Sequence, residues 1–590
     1  MIYKNFSILI VFIALVLAVT SLWNDSFIVD EIPHVGAGYS YITKGDYRLN
    51  PEHPPLAKDL AGFAISLLAV NQSAFSTQYW TSDINGQWNF GRALIYNPSN
   101  NVNAITRTAK ITMLVFFVLS AFLIYRWANE RYGKPAAFIA TLFFSFSPTV
   151  IANSRFVTTD VPALFGVLLG TYFFIKFLRK PTKETFLFAS LAFGVAQLTK
   201  FSAVILAPYF VILAIIYALI QNKKLLSIFY SLFPTFLIFI VGIILIVWPV
   251  YGLHTMNYPP EKQKIDTTEH LRSYGNRLFA DPVVWASDKP VIRPLAHYAT
   301  GILMVNQRSI GGNTTFFLGE VRNYAWKKYF PVVYAIKEPL AFWVIVISVF
   351  MYLGTKFKIP NSKFKILSLR SWIKNYFTEF SMLLWIAIYW YLSIRANLNI
   401  GVRHLLPTYG FVFILLAGQL TKIIRNSKLE ITNYKTKIKV IPILIFVLLG
   451  WYVTENIRVY PHYLTYFNQL AGGPSGGHRY VVDSNLDWGQ DLKRLTTWVE
   501  KNSVDKIYLD YFGWADPSYY LKGKSVWINS EKYRSAKDFL AENPDGGYIT
   551  VSASFYMGSR EKPEKSYAWL DAYKPIAVIG NSIFVWEIRP

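Results

Sequence analysis

Eleven long apolar stretches run through this chain, and their number and length rule out a soluble globular fold. They fall at roughly 6–23, 108–127, 135–152, 161–178, 184–199, 202–221, 228–250, 331–354, 379–395, 404–421 and 440–455. A helix needs about 20 apolar residues to cross the hydrocarbon core, and fewer where its neighbours shield its ends. Thr199-Lys200 splits the region 184–221, and two helices joined by a tight outer turn preserve the alternation of sides. Composition agrees: 53% of residues are hydrophobic and 16% charged, against about 25% charged in soluble domains. The chain has no cysteine, which excludes disulfides, thiolate metal sites and cysteine nucleophiles.

The net charge of +24 invites a nucleic-acid reading, but its distribution argues otherwise. From Ile457 onward there are 16 Lys+Arg against 15 Asp+Glu, so the excess lies in the apolar part. There the basic residues gather in short loops: Arg126, Arg131 and Lys134; Lys176, Arg179, Lys180 and Lys183; Lys223 and Lys224; and the runs 356–374 and 422–439. This bias marks the cytoplasmic side, and no nucleic-acid-binding motif accompanies it. The first apolar run has no small-x-small cleavage site after it and reads as an uncleaved helix. The expected protein is therefore a polytopic α-helical protein, multi-pass in the cell (inner or plasma) membrane, with its N-terminus cytoplasmic. An odd number of spans puts the C-terminus outside.

The expected organisation is a membrane body over 1–455, with outer loops at 24–107 and 251–330, and a C-terminal extracytoplasmic α/β domain over 456–590. In the tail, 480–482, 506–511, 548–553 and 576–588 read as strands, the last a hairpin around Gly580-Asn581. Helices are predicted at 492–501 and 535–542. In the first outer loop, Leu56–Val70 has the pattern of an amphipathic helix lying along the interface.

The residues able to carry chemistry cluster on the outer side. Asp30-Glu31 follows the first span, with His34, Asp46, Arg48, Glu52, His53 and Lys58 close behind. A polar boundary after a helix would account for an isolated acidic pair. That company instead favours a carboxylate acting as general base towards a hydroxyl. Asp160 closes the short loop Asn153–Asp160, which also carries Arg155; before Val161-Pro162 it has the position of a helix cap. Lys200, between two spans, either snorkels to the headgroups or serves a site. Arg403-His404 opposes the positive-inside trend, and a planar guanidinium suits phosphate. Asp483, Asp487 and Asp491 recur every four residues, but the Asp-Ser-Asn sequence favours turns and caps over a metal site.

Taken in order, these motifs carry a resemblance. They are Asp30-Glu31, Asn50-Pro51-Glu52-His53-Pro54-Pro55-Leu56, Thr158-Thr159-Asp160, Leu198-Thr199-Lys200, Gly319-Glu320 with Tyr329-Phe330-Pro331, Lys337-Glu338-Pro339-Leu340, and Gly401-Val402-Arg403-His404-Leu405-Leu406-Pro407. The chain resembles the GT-C superfamily, in the branch that holds the protein O-mannosyltransferases and the lipid A aminoarabinose transferase. The tail, with Tyr466–Pro474 and Asp483–Asp491, resembles that of bacterial members of this branch. It departs from the aminoarabinose and eukaryotic mannosyl enzymes, so their acceptors do not carry over. His53 stands where the aminoarabinose transferases have a lysine.

The resemblance implies a glycosyltransferase, hexosyl- or pentosyl-transferring, that moves a sugar from a polyprenyl-phosphate donor to a protein, lipid or glycan acceptor outside the membrane. Asp30 would be the base, with inversion at the anomeric carbon; Glu31 would orient it, and Asp160 would line the same cavity. Lys200 and Arg403 would stabilise the leaving phosphate, with His53, Lys58, Arg155 and His404 as further donor- or substrate-binding candidates. The resemblance implies no required metal, and no close His spacing provides one. The leading rival is a lipid or solute transporter or flippase, for which internal repeats and mid-membrane charges would be expected; neither is found in the sequence. A noncatalytic scaffold whose tail binds a partner is the second.

Overall fold

The computed structural model describes residues 2–221, 225–356, 366–427, 430–433 and 436–590. Lys223, Lys224 and parts of the two basic runs at 356–374 and 422–439 lie outside the described residues.

Among the described residues, eight helices are long and apolar enough to cross a membrane: Ile2–Ser21, Val102–Tyr132, Asp160–Arg179, Phe201–Ile220, Ser231–Thr255, Phe377–Arg395, Val402–Asn426 and Val440–Val459. Two bent pairs bring the total to ten: Lys134–Ser145 with Pro148–Ser154, bent by 63°, and Tyr329–Lys337 with Leu340–Gly354, bent by 109°. Both bends sit at prolines. Pro148 restarts a helix that Ser147 caps on the N–H of Val150. Glu338 before Pro339 is extended, as the steric conflict with a following proline ring requires. The eleventh expected segment is the 15-residue helix Lys183–Gln197, shorter than a full span, packed against Asp160–Arg179 and Leu225–Gly242.

The first outer segment folds as helices Glu31–Lys44 and Leu56–Ser66 lying against each other. The second helix was expected at the interface. It buries Ala57, Lys58, Ala61 and Ile65 in the protein and leaves Phe63 and Leu67 exposed. The second outer segment forms helices Pro260–His270, Arg277–Ala286 and Arg293–Gly311, then a short hairpin of Thr315–Phe317 with Glu320–Arg322.

The tail holds a five-stranded sheet in the spatial order Ser525–Trp527, Ile507–Asp510, Gly547–Ser552, Ile583–Ile588, Ala577–Ile579. The first three strands are parallel and the last two pairings antiparallel. Gly580 and Asn581 both have positive φ, the turn geometry that matches strand twist. The helices Leu492–Lys501 and Ala536–Glu542 fall where the periodicity predicts. The expected strand at 480–482 is not in this sheet: Val481 makes one isolated bridge to Phe317 of the outer hairpin. Strand Ser525–Trp527, only three residues long, carries no alternation that a sequence could show. A single continuous hydrophobic core runs from the membrane helices into this sheet.

Candidate active site

Asp30, Asp160, Lys200 and Arg403 meet at one side of the helix bundle. Asp30 follows the end of the first span, Asp160 begins the span to Arg179, Lys200 precedes the span from Phe201, and Arg403 opens the span to Asn426. Spans that alternate in direction bring these four termini to the same surface. Helix crossing places Lys200. At Gly166 an added Cβ would lie 2.8 Å from Thr199 Oγ1 and 3.0 Å from Ala196 Cα, so helix 160–179 runs tight against helix 183–197. Beyond that contact Lys200 is extended, and its Nζ reaches Asp160 Oδ1 at 2.6 Å.

The carboxylate of Asp160 is fully buried and shared: Lys200 holds one oxygen, and Arg403 Nη1 donates to the other at 3.0 Å. The side chain therefore does not cap its helix. Arg403 then turns its Nη2 towards Asp30 Oδ2 at 3.4 Å. Asp30 holds the N-cap position of helix 31–44 without a side-chain capping bond, and its carboxylate stays 26% exposed to the cavity. Beside it His34 points Nδ1 at the carbonyl of Val157, 2.7 Å away. A carbonyl only accepts, so that nitrogen carries the proton, and buried Nε2 has no hydrogen-bond partner among the described residues. Burial pushes the pKa values of His34 and His53 down. Burial thus favours the neutral form of both rings, which lie 4.9 Å apart edge to face.

The cavity has a volume of about 530 Å³. Its polar wall is Asp30, His34, His53, Lys200, Arg403 and His404; its apolar wall comes from Val204, Ile205, Ile302, Val305 and Leu392. Arg308, from helix 293–311, and Arg395, from the end of span 377–395, complete the rim. Neither makes an ion pair among the described residues, whereas the charges of Asp30 and Asp160 balance those of Lys200 and Arg403. The site is thus net positive at its rim. No motif marks Arg308 or Arg395; the available signal is an arginine on the side otherwise depleted of cations.

Three expected site residues lie elsewhere. Glu31 is fully buried: Lys110 Nζ is 2.6 Å from Oε2, which also accepts from the N–H of Ile28, while Oε1 accepts from the N–H of Val157. Arg155 pairs with Asp25 at 2.8 Å, both essentially without exposure. Lys58 donates to the carbonyls of Asn50 and His53 at 2.8 and 2.7 Å and to Tyr41 Oη, so it clamps the Asn-Pro-Glu-His-Pro-Pro turn from behind. Sequence proximity to Asp30 drew Glu31 and Lys58 into the expected site, and proximity to Asp160 drew Arg155; each instead closes a layer beneath it.

Residues 104–248 match the family model for dolichyl-phosphate-mannose-protein mannosyltransferases. Over 183 residues, 30% of this chain, the sequence is 24% identical to dolichyl-phosphate-mannose–protein mannosyltransferase 1 of Saccharomyces cerevisiae, and it spans about a fifth of that protein's length (20%). The fold is similar to a chain of the S. cerevisiae protein O-mannosyltransferase Pmt1–Pmt2 complex bound to its sugar donor, with a TM-score of 0.52 and 11% identity, covering 78% of this chain and 90% of that one. ArnT of Cupriavidus metallidurans bound to undecaprenyl phosphate aligns over 99% of this chain and 98% of its own, with 11% identity and a TM-score of 0.43. The likeness to the protein O-mannosyltransferase chain is one of fold. The likeness in sequence is to protein mannosyltransferases and is confined to the matched segment, residues 104–248.

Proposed function

We propose that this protein is a glycosyltransferase that moves a sugar from a polyprenyl-phosphate donor to an acceptor hydroxyl at the outer face of the membrane, with inversion. The observation that carries this reading is the position of Asp30: a partly open carboxylate in a cavity with one apolar and one cationic wall. The apolar wall suits a prenyl chain entering between helices, and Arg308, Arg395 and Arg403 suit its phosphate. Asp30 takes the proton of the acceptor hydroxyl as that oxygen attacks the anomeric carbon. The bond from that carbon to the phosphate oxygen breaks, and polyprenyl phosphate leaves with the bonding pair. Charge on the phosphate grows during this step, so cations fixed beside it favour the transition state over the ground state. The charge-balanced set of Asp160, Lys200 and Arg403 holds the third arginine in place and leaves the unpaired Arg308 and Arg395 for the donor. On this reading no divalent ion is required.

The N-terminus is cytoplasmic and the tail extracytoplasmic, a reading supported by the basic loops on the opposite side from the cavity. The acceptor is a protein, lipid or glycan. The test is transfer from a panel of labelled polyprenyl-phosphate sugars by membranes holding wild-type protein or Asp30→Asn, with EDTA as an added arm. General-base catalysis contributes about 10²–10⁴-fold, so transfer should fall by that factor at unchanged expression and should withstand EDTA. Equal transfer by both proteins would remove Asp30 from the mechanism.

A further inference from the structure

The tail motif Asp483–Asp491 is not spent on the tail's own sheet. It enters the membrane body and sits between the Asp30 loop and the Arg403 loop. On one side the N–H of Val29 donates to the carbonyl of Trp488 at 2.9 Å and the N–H of Ser26 to that of Gln490 at 3.0 Å. On the other, the N–H of Val402 donates to Asn485 Oδ1 at 2.9 Å, and Ser484 Oγ donates to the carbonyl of Ile400. Lys337 pins the middle by donating to the carbonyl of Asn485 at 2.7 Å. Two of these tail residues touch Arg403 directly. Arg403 Nε donates to Ser484 Oγ at 3.1 Å, and the guanidinium lies 4.1 Å from the centre of the Trp488 ring. Ser484 and Trp488 are each 2% exposed.

The local backbone is built for this approach. Gly401 has φ +139°, and a Cβ there would lie 2.3 Å from Ser484 Oγ. Only glycine permits both that conformation and that contact. A guanidinium has five N–H donors in one plane. In Arg403 the Nη1 edge faces Asp160, Nη2 faces Asp30 and Nε faces Ser484, while the indole takes one face of the plane. Rotation about the side chain would break at least two of these four contacts.

We infer that Ser484 and Trp488 are positioning residues of the reaction centre, supplied by the tail, which fix the plane of Arg403 so that it faces Asp30 and the donor phosphate. The assignment rests on the proposed glycosyltransferase reading for its chemistry and on geometry alone for the contact. It makes the tail a part of the active site and not an appended recognition domain.

The test is a double-mutant cycle in the full-length protein, with Trp488→Phe, Trp488→Leu, Ser484→Ala and Arg403→Ala, read as kcat and as KM for a polyprenyl-phosphate sugar. Trp488→Leu should lower kcat at least tenfold, and Trp488→Phe, which keeps an aromatic face, should restore most of it. In the Arg403→Ala background Trp488→Leu should cost nothing more, because coupled residues are non-additive. Losses that multiply, or a Trp488→Leu protein as active as wild type, would overturn the assignment. A readout free of activity uses the absence of native cysteine. With Ile400→Cys as the single thiol, Trp488→Leu and Ser484→Ala should each speed maleimide labelling severalfold by releasing the 400–404 loop; unchanged labelling would overturn the assignment as well. If the wild type transfers no sugar from any donor while labelling responds as expected, the glycosyltransferase reading fails and the positioning contact stands.

Discussion

Asp30 and Glu31 are consecutive, yet their carboxylates end in different regions. Glu31 lies in a closed layer with Lys110, and a few residues away Asp25 binds Arg155 and Arg494, all with little or no exposure. Arg494 also holds Asp491 at 2.6 Å, so this layer ties the first outer loop to the tail helix Leu492–Lys501. Asp30 lies in an open layer with one long contact to Arg403 and a face on the cavity. In the closed layer every charge has its partner within about 3 Å, and nothing is left to offer a substrate. In the open layer the pairing is incomplete, and the incompleteness is the part that can do chemistry. Two acidic residues side by side in a sequence therefore carry no common role.

The sharpest way to break this comparison is to strip a partner from the closed layer. Lys110→Met leaves the Glu31 carboxylate buried and uncompensated, a change that typically costs about 3–5 kcal/mol. The expected outcome is loss of folded protein from the membrane fraction, measured by detergent-solubilised gel filtration. Asp30→Asn should yield normal amounts of folded protein with its transfer lost. Were Lys110→Met to fold normally and Asp30→Asn to misfold, the assignment of closed and open layers would be inverted.

A smaller effect sharpens the open layer itself. Arg308→Ala removes an unpaired rim cation without exposing a buried charge. We expect KM for the polyprenyl-phosphate donor to rise about tenfold, the size of one charge-assisted hydrogen bond, with folded yield unchanged. Lys200→Gln should differ in kind, because it also unbalances Asp160 and should lower kcat together with affinity. Equal effects of the two variants on both constants would argue that the rim and the Asp160 set act as one unit.

Much of this was legible in the sequence, for identifiable reasons. All eleven apolar stretches are helical because length and hydropathy determine that alone, although one is shorter than a span and two are broken at Pro148 and Pro339. Asp30, Asp160, Lys200 and Arg403 could be chosen because each is a charge beside a span end, where a charge is costly unless it has work to do. Arg155 and Glu31 meet the same description but lie away from the cavity, as does Lys58 in the outer loop; their partners, Asp25, Lys110 and the Asn50–His53 carbonyls, separate the two groups. For Glu31 and Arg155 those partners are more than 75 residues away and leave no local trace, and the same distance hid Ser484 and Trp488, which reach Arg403 from some 80 residues downstream. Arg308 was missed for the opposite reason: it has no motif and, among the described residues, no ion pair.

An effect of a different kind concerns an acid that belongs to neither layer. Asp487 is fully buried and accepts a hydrogen bond from the N–H of Ser554 at 2.8 Å, and its Oδ1 has no hydrogen-bond partner among the described residues. With no cation beside it, burial pushes its pKa up to about 8, where an exposed aspartate titrates near about 3.9. The native protein therefore keeps a proton that the unfolded chain releases, and stability falls as pH rises from about 4 through 8. Asp483, on the same segment, is pushed up to about 6 and adds to the lower half of that window. Asp487→Asn keeps the shape of the neutral acid and cannot titrate. It should match wild type in thermal unfolding at pH 5 and exceed it at pH 9, with the gap opening between those values. A gap of equal size at both pH values would mean that Asp487 is ionised in the folded protein, and that the tail segment tolerates a buried carboxylate without the ion pair that Glu31 and Asp25 each require.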